Sequence, residues 1–238
     1  MQKIALITGA TRGLGRATAR RLVEHGLTVI VGARDAAAGA HVAHELGAES
    51  VVLDVDDTAS VRSAAAEIAQ RHGRLDVLVN NAGILPEATA DRPLDAERFA
   101  RTIETNLLGA VRTSEHFLPL LQRSREGAIV NVSSTMGSLA DQSDTHSPYR
   151  DLAVPGYRAS TAALNSLTIE LAKLLAGTPI RVNAVCPGWV RTDLAPGNRE
   201  HAPLSAEDAA ELVVRYALLG PDGPTGGFFA AEERVVAW

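Results

Sequence analysis

The feature that most constrains this chain is an alternation. Short runs rich in β-branched and apolar residues recur along it, each followed by a longer segment whose apolar residues return at helical spacing. The runs are Ile4–Thr8, Thr28–Val31, Ser50–Leu53, Val77–Asn80, Ala128–Val132 and Ile180–Val185, with a weaker one near Gly227–Ala230. The helical segments are Leu14–His25, Ala36–Glu45, Thr58–Arg71, Asp95–Gln122, Tyr157–Leu175 and Ala206–Leu218. Strands that are nearly continuous in apolar residues are strands buried on both faces. The pattern therefore predicts an α/β fold, a doubly wound parallel sheet of about seven strands. At 238 residues, one domain spanning residues 1–238 is expected. Ligands of such sheets bind at the carboxyl ends of the strands, so chemistry is expected in the strand-to-helix loops. Two connections, residues 135–156 and 189–205, exceed the usual length of about 4–6 residues and are read as substrate loops.

Composition removes several alternatives. With 46% apolar and 21% charged residues, the chain is neither disordered nor membranous. No apolar run approaches the roughly 18 residues of a membrane span, so no membrane partner is expected. Met1, Gln2 and Lys3 lead straight into a strand-like run without a signal-peptide layout, and a cytoplasmic location is expected. The single Cys186 excludes an internal disulfide framework and a multi-cysteine metal site, and it reads as a small buried apolar group. No metal is expected. The 23 basic and 28 acidic residues give a net charge of −5, which argues against nucleic acid as a partner. Only Lys3 and Lys173 among the basic residues are lysines. Asp56, Asp57 and Asp76 read as helix caps or solvated groups.

The first run leads into Thr8-Gly9-Ala10-Thr11-Arg12-Gly13-Leu14-Gly15, which opens directly into a helix. Glycines there let backbone approach a pyrophosphate, and a helix N-terminus supplies free N–H groups and the positive end of a dipole. Packing between helix and strand is the alternative reason for the same glycines. Further motifs follow in order: Asp54-Val55, Asn80-Asn81-Ala82-Gly83, Asn106, Asn131-Val132-Ser133-Ser134, Tyr157, and Val185-Cys186-Pro187-Gly188 with Thr192 beyond. Together they resemble the short-chain dehydrogenase/reductase family, along essentially the whole chain. The resemblance implies a Rossmann fold in which Gly9, Thr11, Arg12, Gly13, Leu14 and Gly15 hold the dinucleotide phosphates. It further places Asp54 and Val55 at the adenine and Asn81, Ala82 and Gly83 beneath the cofactor. Pro187, Gly188, Val190 and Thr192 fall at the nicotinamide amide.

Which nicotinamide cofactor binds depends on what meets the adenosine ribose. The second run closes on Val31-Gly32-Ala33 without a carboxylate, and Arg34 comes next. Arg34 and Arg12 are placed to pair with a 2′-phosphate, which favours NADP(H) over NAD(H). Taken alone, Arg12 and Arg34 read as solvated surface arginines more often than as phosphate ligands. Asp35 lies one position beyond the discriminating site and can cap the following helix.

By resemblance Tyr157 is the proton donor and acceptor, Ser134 orients the substrate carbonyl and Asn106 belongs to a proton relay. Ser134 is preferred to Ser133 because it stands three residues before Gly137, matching the family's S-x-x-G spacing. The family's helix reads Y-x-x-x-K, whereas this chain has Tyr157-Arg158-Ala159-Ser160-Thr161. Thr161 therefore stands where a lysine lowers the tyrosine pKa and grips the nicotinamide ribose. A threonine hydroxyl can bond that ribose but carries no charge to stabilise a phenolate. Lys173 lies about 24 Å further along the helix, and Lys3 begins the first strand at the opposite end of the sheet. Arg158 points about 100° around the helix from Tyr157, which leaves Arg150 and His146 on the long loop as candidate substitutes. A tyrosine of pKa about 10 still donates a proton at neutral pH, but little phenolate exists for the reverse reaction. Thr161 is thus compatible with a tuned variant, an inactive relative or a substituted lysine.

Ser134 and Tyr157 stand 23 positions apart, a longer span than compact family members use, and the extra residues Asp141–Arg150 are polar. With Pro187–Asp193 and the tail Gly223–Phe229, this resembles the carbonyl-reductase-like branch. That implies an NADPH-dependent reduction of an apolar ketone, aldehyde or quinone as small-molecule substrate. A protein that binds NADP(H) without turning it over is the alternative. Trp189 reads either as a wall of the substrate pocket or as core. The resemblance also implies a homodimer or homotetramer through the helices Asp95–Gln122 and Tyr157–Leu175, although an insertion before Tyr157 can cover that face and leave a monomer.

Overall fold

The computed structural model describes residues 2–89, 92, 94–231 and 234–238. Its strands are β1 (Ile4–Thr8), β2 (Thr28–Ala33), β3 (Glu49–Val52), β4 (Val77–Asn80), β5 (Gly127–Val132), β6 (Ile180–Val185) and β7 (Phe228–Phe229). They form one sheet in the order β3-β2-β1-β4-β5-β6-β7, and every neighbouring pair is parallel. The two-residue period of each strand sorts its apolar side chains onto two faces. On one face Ala5, Ile7, Val29, Val31, Val79 and Val130 pack with α1 (Gly13–Glu24), α2 (Ala36–Leu46) and α9 (Ala206–Ala217). On the other, Ile4, Leu6, Ile30, Leu78, Ile129 and Val182 pack with α3 (Thr58–His72) and α5 (Gly109–Leu121). Two cores of comparable extent thus sandwich the sheet, and the Rossmann fold expected from the alternation is the fold observed.

The predicted strands agree with the observed ones to within about two residues, as boundary scatter allows. The predicted helix Asp95–Gln122 is where they differ. It divides into α4 (Ala96–Ile103), a π-helical turn (Glu104–Leu108) and α5. A π turn is a single wide turn inside a helical run, too short to stand out in a pattern read over a dozen residues. Asn106 lies in this turn. The long connection 135–156 holds a 3-10 turn (Thr135–Gly137) and α6 (Leu139–Ser143), followed by α7 (Pro155–Leu174). Residues 189–205 hold α8 (Asn198–His201) and a Val190–Leu204 bridge. Among the described residues no helix is long and apolar enough to cross a membrane.

Aspartates do two kinds of work. Asp35 and Asp57 cap α2 and α3 by accepting from Ala38 N–H and Ala59 N–H. Asp76 instead is buried at the amino end of β4, contrary to its reading as a cap or solvated group. Its carboxylate accepts from Ile4 N–H at 2.8 Å and Ser124 Oγ at 2.6 Å, and pairs with Arg74 Nε at 3.1 Å. Asp56 stays exposed; its carboxylate accepts from Thr105 Oγ1 at 2.9 Å, and partial desolvation at that contact raises its pKa. Replacing Asp76 by alanine strands buried donors from three segments. Asp76→Ala is expected to lower unfolding stability by about 2–4 kcal/mol, measured by denaturant titration.

Candidate active site

β1 lies at the point where the strand order reverses, paired with β2 on one side and β4 on the other. The loops leaving β1 and β4 therefore part at the carboxyl edge and open a crevice between them. Thr8 joins the two loops. Its Oγ1 accepts from Asn81 N–H at 3.0 Å and Ala82 N–H at 2.9 Å, while Asn81 Nδ2 donates to Thr8 O at 2.9 Å.

The glycine turn fits a dinucleotide by three observations. Arg12 at the N-cap of α1 offers no side-chain cap and the first turn carries no acidic residue, so the helix N–H groups face outward unpartnered by side chains. Gly13 sits at φ +52°, a left-handed conformation that favours glycine. At Gly15 an added Cβ would lie 2.5 Å from Asn81 Nδ2 and 2.7 Å from Gly9 O. Thr11 and Leu14 are half-buried beside it. Arg34, after β2, is exposed, and its guanidinium makes no hydrogen bond or ion pair with any described residue. Arg12 is also exposed and stands 3.9 Å from Asp193, which Arg199 grips at 2.8 Å. Asp54 folds into a local turn, accepting from Asp56 N–H, and buried Val55 packs where Gly109 brings the long helix close.

Asn106 is buried, and its whole amide is engaged. Oδ1 accepts from Ile84 N–H at 2.8 Å; Nδ2 donates to Ile84 O at 3.0 Å and to Ser160 Oγ at 3.1 Å. The π turn thus braces the β4 loop against α7. Of the two serines that follow β5, Ser133 is buried and donates to Asn165 Oδ1 at 2.6 Å, leaving Ser134 to face the Tyr157 phenol. Burial, first, and the neighbouring Cys186 and Tyr149 push the Tyr157 pKa up to about 12, against a smaller lowering by the Ser134 hydroxyl. No cation is among the groups acting on it. Arg158 turns away to the carbonyls of Tyr149 and Leu152. His146 and Arg150 are exposed, and His146 contacts Thr145 and Asp144.

Thr161 corrects one expectation. Its side chain is buried, and Oγ1 donates back to Tyr157 O at 2.8 Å and Arg158 O at 3.2 Å. A threonine inside a helix satisfies its hydroxyl on the preceding turn. Gly137 packs so closely over it that an added Cβ would meet Thr161 Oγ1 at 2.7 Å. The hydroxyl is directed into its own helix and not toward a ribose. Cys186 is buried and accepts from Thr135 N–H at 3.3 Å. Pro187 and Val190 are buried, while the Thr192 methyl packs on the glycine turn, 3.2 Å from where a Gly13 Cβ would stand. Trp189 is exposed, with Nε1 donating to Asn198 Oδ1 at 2.9 Å, so it belongs to the rim and not to the core. Ser160 and Thr8 hold the site together without having been singled out in the sequence. Thr8 heads the glycine motif, whereas nothing local marks Ser160.

The profile of the short chain dehydrogenase family matches residues 3–203. Curated relatives include the 3-oxoacyl-(acyl-carrier-protein) reductase of Thermotoga maritima, 34% identical across 87% of this chain and 80% of that protein. The (-)-isopiperitenone reductase of Mentha piperita is 30% identical over 100% of this chain and 99% of its own. Among solved structures, NADPH-bound carbonyl reductase from chicken fatty liver superposes with a TM-score of 0.88 at 27% identity, covering 100% of this chain and 99% of that one. The chain belongs to the short-chain dehydrogenase/reductase family of oxidoreductases.

The close approach at the glycine turn is open to test. Gly15→Ala is expected to cost about 1–3 kcal/mol of unfolding stability, because Asn81 and the Gly9 carbonyl must both move. Denaturant unfolding measures it.

Proposed function

We propose that the protein reduces an apolar ketone, aldehyde or quinone to the alcohol with NADPH. The observation that carries the reading is the Ser134 hydroxyl set against a Tyr157 phenol held in its acid form; the uncapped N-terminus of α1, with Arg12 at its N-cap, and exposed Arg34 after β2 support the choice of cofactor. Bound NADPH supplies the hydride. Ser134 donates a hydrogen bond that orients the carbonyl oxygen, and Tyr157 gives that oxygen its phenolic proton as charge develops on it. The Asn106 amide keeps the β4 loop and α7 in register during the step. Arg34 supplies a free guanidinium for the ribose 2′-phosphate, and Asp35, occupied as a helix cap, does not oppose it. Exposed Leu139 and Leu152 after β5, and Trp189 and Leu194 after β6, give both long connections an apolar character that suits an apolar substrate.

The pH dependence of each direction follows from the phenol. With a pKa of about 12, Tyr157 stays protonated through the neutral range and serves as an acid. The phenolate needed for alcohol oxidation amounts to only about one part in 10⁵ at pH 7. NADPH consumption with a panel of quinones, aromatic ketones and aldehydes tests the reading. Reduction is expected to vary little between pH 6 and 9, while oxidation rises about tenfold per pH unit across that range. Thr161→Lys adds a cation that stabilises phenolate, so its oxidation limb is expected at lower pH. If neither protein consumes NADPH while both bind it, the catalytic reading is wrong and a binding protein remains. For cofactor choice, Arg34→Asp is expected to weaken NADPH binding at least about tenfold more than NADH binding, read by fluorescence titration. Equal losses for the two dinucleotides would remove the phosphate assignment.

A further inference from the structure

Glu87 is a buried carboxylate that the chemistry above does not use, and it closes on the helix carrying Tyr157. It lies in the 3-10 turn Pro86–Thr89, beyond the Asn81-Ala82-Gly83 loop. One oxygen accepts from Gly156 N–H at 2.6 Å and the other from Tyr157 N–H at 3.2 Å. These are first-turn donors that a helix must satisfy from outside itself. The N-cap of α7, Val154, has no side chain able to do so, and Pro155 follows it. Glu87 therefore supplies from 69 residues away the cap that local sequence lacks. Gly156 makes the approach possible, because an added Cβ would stand 2.3 Å from Glu87 Oε1 and 3.1 Å from Phe99 Cα.

The turn bearing Glu87 is itself fastened. Arg98 Nη1 donates to Pro86 O at 3.1 Å, and Asn106 holds both polar groups of Ile84 while reaching Ser160 on α7. Residues 84–87 thus grip the first two turns of α7, at Gly156 and Tyr157 directly and at Ser160 through Asn106. A carboxylate offers an acceptor to each N–H, whereas a glutamine offers one and turns an NH₂ toward the other.

We propose that Glu87 is a positioning residue whose carboxylate locks the first turn of α7 to the β4 loop and so sets the placement of the Tyr157 phenol. The inference rests on Tyr157 being the proton donor. Misplacement of a reacting group by about 1 Å costs on the order of 10²-fold in rate. Three variants, Glu87→Gln, Glu87→Ala and Gly156→Ala, are compared with wild type. The measurements are kcat for NADPH-dependent reduction of menadione, the Kd of NADPH, and amide hydrogen exchange across residues 155–160. Glu87→Ala is expected to lower kcat about 10–100-fold with the NADPH Kd changed less than about twofold, and to speed exchange at Gly156 and Tyr157. Glu87→Gln should recover part of the rate. Gly156→Ala should reproduce the alanine profile by displacing the carboxylate, and these two variants carry the test if Glu87→Ala does not fold. Unchanged kcat and exchange, or losses of kcat and NADPH affinity in equal measure, overturn the proposal. If wild type reduces none of the panel carbonyls, the assignment of Tyr157 fails. Exchange then judges the anchor by itself: unaltered protection in Glu87→Ala overturns it and selective loss sustains it.

Discussion

The amides of Asn80 and Asn131 meet at 2.8 Å across the carboxyl ends of β4 and β5, in the dry centre of the molecule. Neither can stay there unpaired, because a buried polar group without a partner costs roughly 1–3 kcal/mol. Thr113 on α5 donates to Asn80 Oδ1 at 2.7 Å, and Asn131 Nδ2 donates to Thr168 on α7 at 2.9 Å. One chain of hydrogen bonds therefore locks two strands to two helices. Its members are the residues immediately before the Asn81-Ala82-Gly83 loop and two before Ser133-Ser134, so this lock sets where the site begins. A network satisfied at every link tolerates a single arrangement, which is what a site built from separate loops needs.

Around that anchor the site is made by burial more than by charge. In the family to which this chain is similar, a lysine assists the tyrosine; here Tyr157 is governed by desolvation, by Cys186 and Tyr149, and by the Ser134 hydroxyl. All of these except Ser134 favour the neutral phenol. The same environment that disfavours phenolate suits the role of proton donor proposed for Tyr157. Arg158, adjacent to Tyr157 in sequence, shows why proximity in the chain is no substitute. Its guanidinium fastens the long connection through the Tyr149 and Leu152 carbonyls and is directed away from the phenol.

Much of this was legible beforehand, for a stated reason at each element. β1, β4 and β6 coincide with their apolar runs because strands buried on both faces advertise themselves in composition. The aspartate after Arg34 was readable as a cap because capping is local, and Asp35 accepts from an amide three residues on. Asp76 was misread because its partners lie up to 72 residues away and nothing near it signals burial. The π turn at Asn106 has no sequence signal of its own, being one turn within a run that is helical on both sides. Glu87 was passed over for the same reason as Asp76, its partners lying 69 and 70 residues beyond it.

The amino-acid sequence by itself determined the doubly wound sheet, the order of the motifs along it and the absence of a lysine within reach of Tyr157. Those follow from periodicity, from residue type and from the length of a helix, which are properties of neighbours in the chain. Only the tertiary structure decided that Thr161 turns its hydroxyl into its own helix, that Ser133 is taken up by Asn165, and that Glu87 caps α7. Each of these is a choice among competing hydrogen-bond partners that residue type alone does not make, and packing decides which partner a buried donor or acceptor meets.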